Sequence, residues 1–374
     1  MKIRRLLFFI CVALCSCGNH SNSAPDEIKG RKLDMKFASL LQMTECDGYV
    51  VADIKNPWGN NILHRYILVD KDSAMPATMP SGTLLRTPLD NVLLFATMHA
   101  ELLGCLGVSH AVGGVCEPEY MTQQYIREGL ENNTITDCGS SLNIDLERVV
   151  ELSPSAVFVL PYENGGYGKL DKLPYPLVEC VEYMETSPLA SAEWMRFYGC
   201  LLGCAAKADS LFDEVCHSYL SLRDSVATVS SRPKLMCELK SSSAWYVPGG
   251  RSTMGVLYND AGAHYLFSDN NSMGALPLAF ETVLEKASSA DIWLIKYGAD
   301  TDKTRSSLLA EFEGYKYFKP FANGNIYACN LSKKRFYEET PFRPDLLLRE
   351  LVALFHPDFY PDKKPLRYYE KMAQ

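Results

Sequence analysis

The sequence predicts a mixed α/β protein built as two lobes joined by one long helix. Three observations carry that prediction. Helices alternate with short apolar strands from residue 88 onward, the pattern of a largely parallel sheet. One helix–strand unit is echoed at an offset of 134 residues, with Glu147 to Leu160 lying over Glu281 to Leu294. Between the copies runs an amphipathic stretch from Pro188 to Val226 without a further proline. The length of 374 residues suits two compact domains, and 47% hydrophobic with 22% charged residues is an ordinary globular composition. With 37 Lys and Arg against 45 Asp and Glu, the net charge is -8 and no basic run longer than three residues occurs. Nucleic acid is excluded as an expected partner, because phosphate binding needs a concentrated positive face.

The N-terminus sets the expected compartment. Lys2, Arg4 and Arg5 precede an apolar run from Leu6 to Leu14, the charged and hydrophobic regions of an export signal. That run is shorter than the roughly 20 residues a bilayer span needs, and no later stretch approaches that length. Leu14-Cys15-Ser16-Cys17 resembles the bacterial lipobox, in which the last cysteine is lipidated. Cleavage before Cys17 would remove three positive charges, and 34 minus 45 gives -11. Residues 1–16 are therefore read as a signal peptide and 17–32 as a lipid-anchored tether, with cleavage to a soluble exported protein as the alternative. Gly18, Asn19 and His20 follow without an acidic cluster, so the expected location is the periplasm, lipid-anchored to a membrane. Most of the later cysteines sit in apolar stretches and read as small hydrophobes rather than as a disulfide framework. No C-x-x-C pair supports a zinc or thioredoxin-type motif.

The N-terminal lobe is expected over 33–186. Tyr49–Ile54, Arg65–Val69 and Thr83–Thr87 read as strands between turn residues such as Asn56-Pro57 and Pro80-Ser81-Gly82. Asn91–Leu106 reads as a helix, Ala111–Val115 as a strand, Asp145–Leu152 as a helix and Ala156–Leu160 as a strand. The linking helix is expected over 187–228, capped by Ser187 with Pro188 at its first position. Trp194, Met195, Tyr198, Leu201, Leu202, Ala205, Ala208, Leu211 and Phe212 form its apolar stripe, and a helix of that length would run about 60 Å. Gly199 and Gly203 are its possible bend or close-packing points. The C-terminal lobe, 229–374, carries strands at Lys234–Leu239, Ile292–Lys296 and Asn325–Cys329. Its helices are expected at Ser252–Asp260, Glu281–Lys286, Ser307–Phe312 and from Pro344 to His356.

No G-x-S-x-G elbow, Walker-type phosphate loop, G-x-G-x-x-G or H-E-x-x-H motif occurs, and none of the seven histidines pair at i, i+4. These absences lower the expectation of an enzyme and offer no catalytic or resident-metal residues. His99, with Glu101 two positions on, is the one histidine read as a ligand-binding candidate. The aromatics say more. Trp245-Tyr246-Val247-Pro248-Gly249-Gly250-Arg251-Ser252 follows a strand and precedes a helix, where open α/β sheets bind ligands. Trp245 and Tyr246 offer flat apolar area and Arg251 a fixed cation, while core packing of Trp245 is the competing reading. Pro161 to Gly168, with Tyr162 and Tyr167, occupies the matching place in the first lobe. Lys333 to Glu339, with Arg335 and Tyr337, follows the last strand and reads either as cleft lining or as a solvated turn.

Four of these stretches carry a resemblance. Pro161 to Gly168, Ser187-Pro-Leu-Ala-Ser-Ala-Glu-Trp-Met195, Trp245 to Ser252 and Pro344 to Pro357 resemble the periplasmic substrate-binding lipoproteins of ABC importers for iron complexes and cobalamin, Bacteroidota branch. The resemblance covers about Leu84 to His356 and implies a class III periplasmic binding protein with two Rossmann-like lobes and one backbone helix. It implies a monomer that holds a metal chelate between its lobes with little hinge motion, as ferric siderophore, haem or cobalamin, and needs no cofactor. It also implies delivery to ABC permease and ATPase subunits at the inner membrane through one acidic residue per lobe. Glu281 matches the second-lobe docking position and Glu163 is the first-lobe candidate, with Glu147 its alternative. Ala275 stands where cobalamin binders of the family carry Trp, which weighs against cobalamin. An enzyme or chelatase on the same scaffold, or a lipoprotein with a protein partner, are the other readings.

Overall fold

The computed structural model describes residues 28–359 and 365–374. The export segment, Cys17 and most of the expected tether lie outside these residues. Among the described residues, no helix is long and apolar enough to cross a membrane.

The chain begins with a five-stranded sheet in which Arg31–Lys32, Leu41–Cys46, Tyr49–Lys55 and Ile62–Asp70 run antiparallel and Thr83–Thr87 pairs in parallel with Ile62–Asp70. Three of these strands are the expected ones; Arg31–Lys32 and Leu41–Cys46 are additional. The sheet covers an exposed edge of the first lobe. The Tyr66 hydroxyl accepts the Glu179 N–H at 2.8 Å and donates to the Leu177 carbonyl at 2.9 Å, satisfying backbone groups of an edge strand.

The first lobe is a parallel sheet of Val92–Leu94, Val112–Val115, Thr136–Asp137, Val157–Val159 and Leu177–Glu179. Its first strand is central, the second and third lie to one side and the fourth and fifth to the other, a doubly wound arrangement. The expected helix Asn91–Leu106 is corrected here to a strand, Val92–Leu94, followed by a helix, Thr97–Leu106. Three consecutive residues buried on both faces carry no periodicity, so an apolar run of this kind reads equally as helix.

The second lobe orders His264–Tyr265, Lys234–Cys237, Ile292–Tyr297 and Ile326–Asn330 in parallel, closed by an antiparallel edge, Glu370–Lys371. The sequence echo is topological. Helix Leu146–Leu152 leads into Val157–Val159, helix Phe280–Ala287 leads into Ile292–Tyr297, and each of those strands pairs with its lobe's first strand. A small antiparallel sheet of Lys240–Ser241, Ala244–Pro248 and Ala275–Leu278 is inserted after the second lobe's first strand.

The single 40-residue helix is also corrected. Ser187 caps its start by accepting the Ala190 N–H at 3.2 Å, but the segment divides into Pro188–Glu193, Met195–Leu201 and Ala205–Val226. Gly203 takes φ +70°, where a side chain is disfavoured and an added Cβ would lie 2.8 Å from Pro88. At Gly199 an added Cβ would come within 2.4 Å of the Ala208 Cβ, so the Met195–Leu201 and Ala205–Val226 helices pack closely instead of continuing one another. The remaining spine of 22 residues spans about 33 Å. The apolar stripe is real, but it is divided: the residues of Met195–Leu201 are mostly buried, whereas Ala205–Val226 buries only one face.

Two buried carboxylates fasten the N-terminal segment to this region. Glu193 accepts backbone N–H groups of Lys36, Phe37 and Ala38 at 2.8–2.9 Å. Glu185 accepts those of Ser39 and Leu40 and the Trp194 indole N–H at 3.0 Å. The Glu185 carbonyl in turn accepts the hydroxyl of Thr253 from the second lobe at 2.8 Å. Two carboxylates can be buried here because each oxygen accepts at least two hydrogen bonds from N–H or O–H donors.

Candidate ligand site at the carboxyl ends of the two sheets

Parallel strands send their connecting loops to one edge, and in doubly wound sheets the crevice beside the first strand is where ligands bind. The lobes meet through such loops. Arg335, after Ile326–Asn330, pairs with Glu101 on the helix that follows Val92–Leu94, and Thr253 reaches Glu185 after Leu177–Glu179. Large apolar side chains stay exposed along the same edges. Tyr120, Leu142, Tyr162 and Tyr183 follow the second to fifth strands of the first lobe, with Leu142 98% and Tyr162 63% exposed. On the second lobe Tyr337 follows Ile326–Asn330, and Tyr246 projects from the inserted strand Ala244–Pro248. Scattered exposed apolar residues need no explanation, but a series at successive strand ends makes these edges the candidate contact surface.

The predicted residues divide between this surface and the core. Tyr162, Tyr246, Tyr337, Arg251, Glu163 and Glu281 are all exposed. Trp245 is a correction: it is fully buried, its indole N–H donates to the Cys237 carbonyl at 3.0 Å, and it packs on Trp293, Tyr315 and Phe318. Its segment is a strand, in which alternate residues face opposite sides, so Trp245 and Val247 point inward while Tyr246 points out. His99 is likewise withdrawn from the site. It is fully buried, with Nε2 2.6 Å from Glu182 Oε1 and 3.2 Å from the Tyr198 hydroxyl, which donates to Glu182 Oε2 at 2.9 Å. Arg335 is half committed, since its guanidinium pairs with Glu101 and lies 3.9 Å from Glu339.

Sequence reasoning missed charged groups at the strand ends of both lobes. In the second lobe Glu238 takes a left-handed φ of +64° directly after Lys234–Cys237, and its carboxylate pairs with Lys296 of the adjacent strand. Burial disfavours the Lys296 charge, but Glu238, Tyr369 and Tyr337 together hold the ammonium pKa well above its ordinary value. In the first lobe a cavity of about 230 Å³ opens between the Tyr162 loop and the hairpin joining Tyr49–Lys55 to Ile62–Asp70. Trp58, Tyr162, Glu163, Asn164, Tyr167 and Glu179 line it. The Tyr167 hydroxyl donates to Glu179 Oε1 at 3.1 Å, and burial together with that carboxylate raises the phenol's pKa.

His99, Cys180 and Glu182 bring a nitrogen, a sulfur and a carboxylate oxygen within 4.8 Å of one another, donor types that hold transition metals. All three are buried, and burial, then Glu182, pushes the Cys180 thiol well above its ordinary pKa, which keeps it neutral. As they stand, these groups hydrogen-bond among themselves and with Tyr198. The ten described cysteines are unpaired.

Comparison with known proteins places this geometry. An uncharacterized lipoprotein of Methanocaldococcus jannaschii is 23% identical over 317 residues, covering 80% of this chain and 74% of the relative. Among solved structures, the TroA-like periplasmic binding protein FepB of Veillonella parvula is similar at TM-score 0.57 and 18% identity, covering 77% of this chain and 96% of that one. A periplasmic heme binding protein of Pseudomonas aeruginosa follows at 0.56 and 16%, covering 76% and 100%. The periplasmic vitamin B12 binding protein BtuF of Vibrio cholerae gives 0.51 and 12%, covering 71% and 96%. These likenesses show the fold, the two-lobed α/β arrangement of class III periplasmic binding proteins. Residues 100–331 match the periplasmic binding protein family, and the chain belongs to it.

Proposed function

We propose that this protein is the substrate-binding component of an ABC importer, anchored in the periplasm through a lipid on Cys17, and that it captures a metal chelate between its two lobes for delivery to a permease. The observation that carries the reading is the series of exposed aromatic and apolar side chains at the strand ends of both lobes, with three of the four tryptophans withdrawn into the core. Such a surface suits a bulky, partly planar ligand, since flat rings give contact area at low entropic cost. Structural neighbours whose names state binding of haem or vitamin B12 support the ligand class, as do lipoprotein relatives the anchor. Ferric siderophore, haem and cobalamin are the candidates, with the metal arriving as cargo and no resident cofactor. Glu163 and Glu281, exposed on different lobes, are the proposed contacts with permease arginines. The ionisable groups near the strand ends, half-buried Glu238 with Lys296 and buried His99 with Glu182, are engaged with each other, which supports binding over catalysis.

The test is to purify the full chain from its own membranes and identify what comes with it by absorption spectrum, metal analysis and mass spectrometry. The reading expects one stoichiometric chelate; a protein partner with no chelate would overturn it.

A further inference from the structure

The first-lobe cavity has a composition of its own. Three aromatic side chains, Trp58, Tyr162 and Tyr167, and two carboxylates, Glu163 and Glu179, line it, and among the described residues no Lys or Arg does. Glu179 Oε2 is closed off from solvent and pairs at 3.4 Å with His64 Nδ1, whose other ring nitrogen is 2.7 Å from the Thr83 hydroxyl. The carboxylate is held in place, because the Glu179 N–H is bound to Tyr66 and Oε1 receives the Tyr167 hydroxyl. Two carboxylates beside three aromatic side chains suit one class of guest. An anion would meet both carboxylates, and a neutral guest would gain nothing from their charge. An organic cation is drawn by the charge of both carboxylates and by the ring faces through cation–π attraction. The volume of about 230 Å³ is below the roughly 300 Å³ at which sites for whole drug-sized ligands begin, so it fits a head group and not a chelate. Trp58 lies on a hairpin outside residues 100–331, so one wall comes from a part of the chain that the family match does not include.

We infer that this cavity is a binding site for an organic ammonium group, either as a free small amine or as the cationic arm of a larger ligand in the cleft. The site stands whether or not a chelate is the cargo.

Choline and n-butylammonium are the probes, titrated into the full chain at constant ionic strength by calorimetry and by tryptophan emission. Trp58 is the reporter, being the one tryptophan of four outside the buried core. Choline is expected to bind saturably and about tenfold more tightly than its neutral isostere 3,3-dimethylbutan-1-ol, the size of a partly desolvated cation–π contact. Glu179→Gln should reduce choline affinity about tenfold and Trp58→Leu by a similar factor. Glu179 has no part in the proposed permease contact, so its variant separates the two readings. Should Glu179→Gln fail to fold, Glu163→Gln at the exposed rim, expected to weaken choline severalfold, and Trp58→Leu carry the test. A ferric hydroxamate with a terminal ammonium, compared with its N-acetylated form, then distinguishes the two sources: preference for the charged form places the ammonium on a larger ligand, and choline binding without that preference places it on a free amine. Absence of saturable binding by either ammonium probe, or equal affinity for the alcohol, would overturn the assignment.

Discussion

The segments Pro161 to Gly168 and Trp245 to Ser252 look alike in sequence, each aromatic and glycine-rich and each close behind a strand, yet they do different work. The first is an irregular loop whose Tyr162 stands 63% exposed beside the front-sheet hairpin. The second is half strand, paired on both sides, and places Trp245 in the second lobe's core while Tyr246 faces out. An aromatic after a parallel strand is thus a ligand candidate only where the backbone stops pairing. Where pairing continues, alternation sends every second side chain inward.

The largest expected effect tests that contrast directly. Trp245→Ala should cost about 3–5 kcal/mol, as for other buried Trp or Phe truncations, whereas Tyr162→Ala should stay within about 0.5 kcal/mol. Urea unfolding followed by circular dichroism measures both, and comparable losses would remove the distinction. The broken spine comes next. Gly203→Ala forces a side chain into a left-handed conformation and against Pro88, and should cost about 1–2 kcal/mol in the same assay; a neutral result would favour a continuous helix. The smallest effect concerns acid. Burial pushes the Glu339 carboxyl up, but Arg367, Tyr368 and Arg335 together hold it below its ordinary value of 4.5. A folded pKa below the unfolded one contributes stability that is present above about pH 4.5 and lost as pH falls through the lower folded value. Glu339→Gln should therefore flatten the decline of Tm between about pH 5 and pH 3 relative to the parent. An unchanged acid limb would show that the ion pair does not form in solution.

Much of the fold was legible because long patterns encode it. The helix–strand alternation, the echo and the cap at Ser187 each survive in the structure as physical features. What was not legible is short or distant. Val92–Leu94 is too brief for a period to show, and Gly203 breaks a helix inside a stripe that reads as continuous. The alternation Trp245, Tyr246, Val247 was visible in the sequence, but the following Pro-Gly-Gly suggested a loop. The candidate site fared worse, since its walls come from far apart: Trp58 and Tyr167 share a cavity, and His99 meets Glu182 across 83 positions. Periodicity gives which face of an element is buried, and it carries no information on which two elements meet.

In the proposed function, ligand is held by the exposed aromatics of both lobes and not by the buried tryptophans. Equilibrium titration of the chelate recovered with the protein, against the parent, Tyr162→Ala, Tyr246→Ala and Trp245→Phe, tests it most directly. Each tyrosine variant should weaken binding about tenfold, near 1–2 kcal/mol, and Trp245→Phe should bind as the parent does. Parent-like affinity in both tyrosine variants, or a loss confined to Trp245→Phe in a protein that remains folded, would contradict the claim.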